Sequence, residues 1–304
     1  MARVGRLEVS ALCLGGNVFG WTLDESEGFA ILDAYLDAGE NFIDTADSYP
    51  PRASGLPPGA SEAIIGSWMA ARGVRDDIVV ATKVGNREGL SPARVRAGAE
   101  ASLRRLRTDH IDLYYAHRDD PDTPLEETLG AFDALVRDGL VREVGLSNYS
   151  AERLEQALAI VEREGYAPIA ALQPHYNLVE RAYEHEQGPI CLREGIACVP
   201  YAGLASGFLS GKYRAGHTVD SVRASRASAY LEHARALRAL EALDVIARPP
   251  DATVAAVALT WLAEQPSVVA PIASARTLEQ LEELLRFKEL TLTAVQLDLL
   301  DSAS

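Results

Sequence analysis

Cysteine is scarce. The chain has three, Cys13, Cys191 and Cys198, each inside an apolar run and none in a CxxC pair. That excludes a disulfide scaffold and a paired-cysteine zinc site, and it points to reduced core residues of a cytoplasmic protein. Long hydrophobic runs are missing too. No stretch reaches the ~20 apolar residues that cross a bilayer, and the start, MARVGRLEVS, lacks a signal-peptide core with a cleavage site. No membrane role is expected. Positive charge is also in deficit: 29 Lys plus Arg stand against 44 Asp plus Glu, a formal net charge of -15. No nucleic acid is expected as a partner, because that class needs a basic face. A small anionic ligand needs only local positive charge. No HExxH sequence occurs, and no metal site is expected.

What is present is a rhythm. Short apolar runs at 11–14, 41–44, 78–82, 111–116, 143–146, 170–173, 197–200 and 268–271 read as strands. Helical periods lie between and after them, at 25–38, 61–71, 92–107, 125–138, 151–164, 187–194, 232–246 with 254–263, 278–287 and 293–301. Ser91-Pro92 and Ser150 mark helix starts; Gly39, Gly73, Gly139, Gly165 and Gly195 mark helix ends. Nearly continuous apolar strands alternating with helices argue for a buried parallel sheet. Eight such units fit an α/β fold of the (β/α)8 TIM-barrel type, with residues 1–304 as a single domain. The segment 203–230 breaks the rhythm and is expected to form an excursion over one end. The competing fold is an open doubly wound sheet. Gly15-Gly16-Asn17-Val18-Phe19-Gly20 mimics its dinucleotide fingerprint, but Asn17 stands where the third position needs glycine.

A barrel carries its active site at the C-terminal ends of its strands. Those ends hold Asp44, Lys83, His117, Ser147-Asn148, Gln173 and Tyr201, with Tyr49 in the loop after Asp44. Singly, each has an ordinary reading: a surface lysine, a hydrogen-bonded histidine, an Asx-turn at Asp44. Together they support proton donation. A free phenol has a pKa of about 10. Lys83 nearby is expected to lower that of Tyr49, with Asp44 holding the ammonium and His117 steering the substrate oxygen. No nucleophile stands out, so the attacking group is expected from a bound cofactor.

The chain resembles the aldo-keto reductases. The resemblance rests on DTADSY at 44–49, TKVG at 82–85, IDLYYAHRDDP at 111–121, GLSNYS at 145–150, LQPHYNL at 172–178, GFLSGKY at 207–213 and ARTLEQLEE at 275–283. It implies a catalytic tetrad of Asp44, Tyr49, Lys83 and His117, with Tyr49 as proton donor, hydride from NADPH and a small-molecule carbonyl substrate. It further implies that Ser147, Asn148 and Gln173 hold the nicotinamide carboxamide and that Tyr201 stacks on the ring. Leu204, Ser206 and Lys212 match the stretch over the pyrophosphate. Ser274, Arg276, Gln280 and Glu283 match the adenosine end, where a guanidinium suits a 2′-phosphate and favours NADP over NAD. Four departures stand out. The start looks short for the family's N-terminal hairpin, which implies a reduced plug at the barrel bottom. Gly203 replaces a common proline, and Leu284 an asparagine that often contacts adenine. The loop 50–60 is long and is expected to shape the substrate pocket. Phe19 and Trp21, with Tyr115, are candidates for an aromatic pocket wall. A sugar-like ketone and an aromatic aldehyde both stay open as substrates, and so does the oligomeric state. Some members act mainly as cofactor-binding regulatory subunits of membrane channels, and that alternative stays open as well.

Overall fold

The computed structural model describes residues 1–51, 54–248 and 252–304. The chain opens with an antiparallel hairpin, β1 (Ala2–Val4) and β2 (Leu7–Val9), turning at Gly5 with φ 55°. Eight parallel strands follow: β3 (Cys13–Gly15), β4 (Phe42–Asp44), β5 (Val79–Val84), β6 (Ile111–Ala116), β7 (Val141–Ser147), β8 (Ile169–Gln173), β9 (Ala197–Cys198) and β10 (Ile272–Ala273). Their order in the sheet is β10-β3-β4-β5-β6-β7-β8-β9. The sheet closes on itself where Cys198 bridges Val268 in parallel, its N–H donating to the Ser267 carbonyl at 2.8 Å.

Helices cover the outside: α1 (Glu25–Asp37), α2 (Ala60–Arg72), α3 (Pro92–Leu106), α4 (Leu125–Arg137), α5 (Ala151–Glu164), α6 (Gly188–Glu194), α7 (Ala224–Ala229), α8 (Ala234–Ile246), α9 (Val254–Ala263), α10 (Leu278–Leu285) and α11 (Ala294–Ala303). This is the (β/α)8 arrangement that the alternation implies. All six residues of β6 are buried, because one face looks into the barrel and the other lies under helices.

Local chemistry sets the boundaries. Asp24 and Glu27 form a reciprocal capping box at the start of α1, each side chain accepting from the other's backbone N–H at 2.9 Å. Ser150 Oγ accepts from the Arg153 N–H at the start of α5. Ser91 makes no such bond, and Pro92 alone sets the start of α3. Gly73 and Gly165 end α2 and α5 in the left-handed region, with φ 69° and 66°.

Two expectations change. The bottom plug is present: Val4, Leu7 and Val9 are buried against Phe42, Leu113 and Ala171 inside the barrel. The buried–exposed–buried pattern of Leu7–Val9 is the strand period, in a segment short enough to escape notice. The last regular ladder lies at Ile272–Ala273 rather than 268–271, because Pro271 has no N–H to give a ladder. The excursion contains a helix of its own, α7.

Candidate active site

Parallel strands place all their C-terminal ends on one side. Asp44 is the last residue of β4, Lys83 the fifth of the six in β5, and His117 follows β6. Lys83 Nζ donates to Asp44 Oδ2 at 2.6 Å and to the Thr45 carbonyl at 2.7 Å. Gln173 Nε2, from the end of β8, donates to the other Asp44 oxygen at 2.9 Å. Burial is the largest single influence and works against the Lys83 charge, but Asp44 and Tyr49 act together against it and the ammonium's pKa is raised. A buried ion pair with both partners further hydrogen-bonded is the form that persists without water.

The Tyr49 ring lies beside this pair, with Lys83 Nζ 5.0 Å from its centroid. The His117 ring meets it edge-on, centroids 5.9 Å apart. Burial, the largest influence, raises the Tyr49 phenol above its ordinary range. Lys83 pulls the other way and Asp44 offsets part of that pull. The expected lowering is therefore corrected: Asp44 holds the lysine and also masks its charge. Burial, together with Lys83 and Arg118, holds the His117 imidazole well below its usual range. His117 is neutral, and its Nδ1 has no hydrogen-bond partner among the described residues.

Around this centre Ser147 Oγ donates to the Gln173 carbonyl at 2.9 Å. Asn148, in the left-handed region at φ 57°, donates Nδ2 to the His117 carbonyl at 2.9 Å and to Ser147 Oγ at 3.0 Å. Tyr201 donates its hydroxyl to Asn148 Oδ1 at 2.8 Å. The Tyr201 ring stacks on His175 with centroids 5.1 Å apart.

A cavity of about 840 Å³ runs from Asp44 and Tyr49 past Tyr201 to the segment 203–230 and the start of α10. Leu204, Ser206, Lys212, Ser274, Arg276, Gln280, Glu283 and Leu284 all line it, as does Gly203. Lys83, His117, Ser147, Asn148 and Gln173 stand behind this wall, linked to it by the contacts above. Ala202 and Ser206 in the wall, and Ala205 buried between them, hold φ of 56°, 60° and 47°, an uncommon conformation for residues with a Cβ.

Phe19 and Trp21 are not in the wall. Phe19 is fully buried in the core with Val18, Ile31 and Trp68. Val18 and Thr22 line the cavity in their place. Thr22 N–H donates to the Val18 carbonyl at 3.0 Å, so this turn presents its first and fifth residues to the cavity and rotates Phe19 away. Tyr115 is buried inside the barrel rather than at its rim. In the loop 50–60, Arg52 and Ala53 lie outside the described residues, and none of the described ones lines the cavity. Gly59 N–H donates to the Tyr49 carbonyl at 2.8 Å, which returns the loop to its origin.

Sequence reasoning passed over Asn17 and Arg223. Asn17 Oδ1 accepts from Ser274 Oγ at 2.9 Å and from Arg223 Nη2 at 3.0 Å, inside the cavity wall. Asn17 was visible only as a flaw in a glycine pattern; Arg223 lies in the excursion, without periodic context. Arg223, Lys212 and Arg276 form a cation cluster. Burial first, and then the neighbouring cations, lower the pKa of Lys212 and of Arg223. Among the described residues none of the three makes an ion pair. Such a cluster, in a chain of net charge -15, suits a ligand with several phosphate charges.

Comparison with known proteins agrees with the geometry. The model of the Aldo/keto reductase family matches residues 11–304. The chain is 36% identical over 304 residues to the uncharacterized oxidoreductase YrpG of Bacillus subtilis, covering 96% of this chain and 91% of that one. It is 32% identical over 296 residues to the norsolorinic acid reductase stcV of Emericella nidulans, covering 91% and 73%. It is 33% identical over 309 residues to a probable voltage-gated potassium channel subunit beta of Arabidopsis thaliana, covering 96% and 92%. With a closed eight-stranded barrel and a family match over nearly its whole length, the chain belongs to the aldo/keto reductase family of oxidoreductases.

Proposed function

We propose that the protein reduces an aldehyde or ketone to the alcohol by direct hydride transfer from NADPH, with Tyr49 as proton donor. One observation carries this reading: a single cavity joins a phenol backed by a buried Lys–Asp pair to a cluster that includes Lys212, Arg223 and Arg276, none of them ion-paired among the described residues. When bound, the nicotinamide supplies the hydride. Ser147, Asn148 and Gln173 would hold its carboxamide, and Tyr201 would face its ring. Leu204, Ser206, Lys212 and Arg223 would follow the pyrophosphate. Ser274, Arg276, Gln280 and Glu283 would take the adenosine end, with Arg276 on the 2′-phosphate. Residues 1–304 are read as one barrel domain, and three unpaired buried cysteines suit a reducing, cytoplasmic compartment.

The proton logic follows from the site. A raised pKa keeps Tyr49 protonated at neutral pH, so the proton is present when needed. As the carbonyl oxygen becomes an alkoxide it takes that proton, and the phenolate left behind gains from the Lys83 ammonium. Asp44 fixes the lysine. Neutral His117 can donate one ring N–H to the same oxygen.

A second reading draws on the similarity to the plant channel subunit: a cofactor-binding regulatory subunit with little turnover. NADPH consumption against a panel of aldehydes and ketones, with Tyr49→Phe alongside, separates the two. Consumption by wild type, lost by roughly 100-fold or more in Tyr49→Phe with NADPH still bound, is the expected result. Tight NADPH binding without turnover would favour the second reading. Absence of NADPH binding would overturn both.

A further inference from the structure

Three consecutive charges follow β6, and the fold separates them. Asp119 accepts from Arg153 Nε at 2.9 and 3.0 Å. Asp120 accepts from the Leu90 N–H and from Thr123 Oγ1, both at 2.7 Å, and from the Asp122 N–H at 3.1 Å. Neither acid lines the cavity; Arg118 does. Arg118 Nε donates to Asn86 Oδ1 at 3.2 Å, and Asn86 Nδ2 donates to Ser48 Oγ at 3.3 Å. Ser48 precedes Tyr49, so the guanidinium is tied to the loop that carries the phenol. Only Nε is used in that tie. The two Nη groups have no protein acceptor among the described residues, and Arg118 makes no ion pair with them.

Arg118 also stands apart from the other cavity cations. It follows β6, which lies across the ring from β10, the strand that leads to Ser274 and Arg276. It acts on His117 and Tyr201. The phosphates assigned above to Lys212, Arg223 and Arg276 therefore leave it unused. Glu180, an acid of the same wall, accepts from the Tyr230 hydroxyl at 2.9 Å, and His175 stacks on Tyr201. The rim near Tyr49 is thus polar, with a forked donor facing the space where a substrate would enter. A guanidinium with both Nη groups available is suited to two-point contact with an oxyanion.

We propose that the substrate is a carbonyl compound bearing an oxyanion, a carboxylate or a phosphate ester, and that Arg118 is the residue that selects it. The inference rests on the reductase reading and specifies its substrate class. It replaces the aromatic wall expected of Phe19 and Trp21 with a charged one.

The test uses matched pairs with NADPH: para-carboxybenzaldehyde against para-methylbenzaldehyde, and glyceraldehyde phosphate against glyceraldehyde. Wild type is expected to favour the charged member of at least one pair in kcat/KM, and the pair that responds names the anion. Arg118→Met should raise KM for that member about 10-fold with little change in kcat, the scale of an exposed charge-assisted hydrogen bond. Arg118→Lys should restore part of the loss, which a merely structural role would not predict. No preference in wild type, or a preference that survives in Arg118→Met, overturns the proposal. If no pair is reduced, the reductase reading is judged by the wider panel of aldehydes and ketones, and titration of benzoate into the protein with NADP+ judges the rim. Benzoate binding lost in Arg118→Met supports the oxyanion site; equal or absent binding in wild type and variant sinks it.

Discussion

At the floor of the cavity Lys83 donates to Asp44 and Thr45, and Gln173 donates to the remaining Asp44 oxygen. Farther along, Lys212, Arg223 and Arg276 face one another with no carboxylate in ion-pair contact among the described residues. The first region is electrostatically complete, and its geometry does not wait for a ligand. The second holds like charges together, an arrangement whose cost falls when an anion arrives. The contrast assigns preorganised chemistry to the floor and ligand capture to the segment 203–230 and the start of α10.

Breaking the floor should cost most. Lys83→Met leaves Asp44 buried without its cation, and loss of one partner of a buried pair costs about 3–5 kcal/mol. Thermal unfolding should show a lowered Tm, and reduction should fall by roughly 1000-fold or more in kcat. A double variant with Asp44→Asn should recover part of the stability and none of the rate. A Tm equal to wild type for Lys83→Met would remove the argument that the pair is preorganised.

The capture region should respond differently. Arg223→Met or Arg276→Met should each weaken NADPH binding by roughly 10- to 100-fold while the rate at saturating cofactor changes little. Fluorescence titration at two salt concentrations checks this, since binding led by charge weakens with salt. If either variant lowers the rate without touching affinity, the division of labour fails.

The pH profile sharpens the comparison. Tyr49 has a raised pKa and His117 a lowered one, so neither changes charge near neutrality. The kcat/KM for reduction should be flat from about pH 7 to 9 and fall only above about 10, as the phenol loses its proton. A limb with an apparent pKa near 7 would show that Lys83 prevails over burial after all.

The smallest effect concerns stability. His117 is neutral when folded but titrates near pH 6.5 when unfolded. Below about 6.5 the unfolded chain binds the extra proton, so stability falls as pH drops from there toward the depressed folded value. His117→Gln should lose less Tm between pH 7 and 5 than wild type does. Equal losses would place the acid sensitivity elsewhere.

The sequence alone determined the alternation of strand and helix, because periods of two and 3.6 follow from backbone geometry. It also placed Asp44, Lys83, His117, Gln173 and Tyr201 on one side, because parallel strands share their polar ends. It mislaid what depends on turns. Asn17 was read against a fingerprint it does not belong to, and Phe19 was assigned to a wall from which its turn rotates it. Arg223 lies in an excursion that carries no period, so no pattern could bring it to Asn17, 206 positions away. Only the tertiary structure decided the direction of the Tyr49 shift. A residue list shows that a lysine and an aspartate are near; it does not show how deeply all three are buried or how much of the lysine's charge the aspartate cancels. Which of three adjacent charges faces the cavity was likewise settled by Arg153 and Leu90, whose positions belong to other helices and loops. Spacing fixes which side chains share an end of the barrel, whereas desolvation and charge pairing depend on everything packed around them.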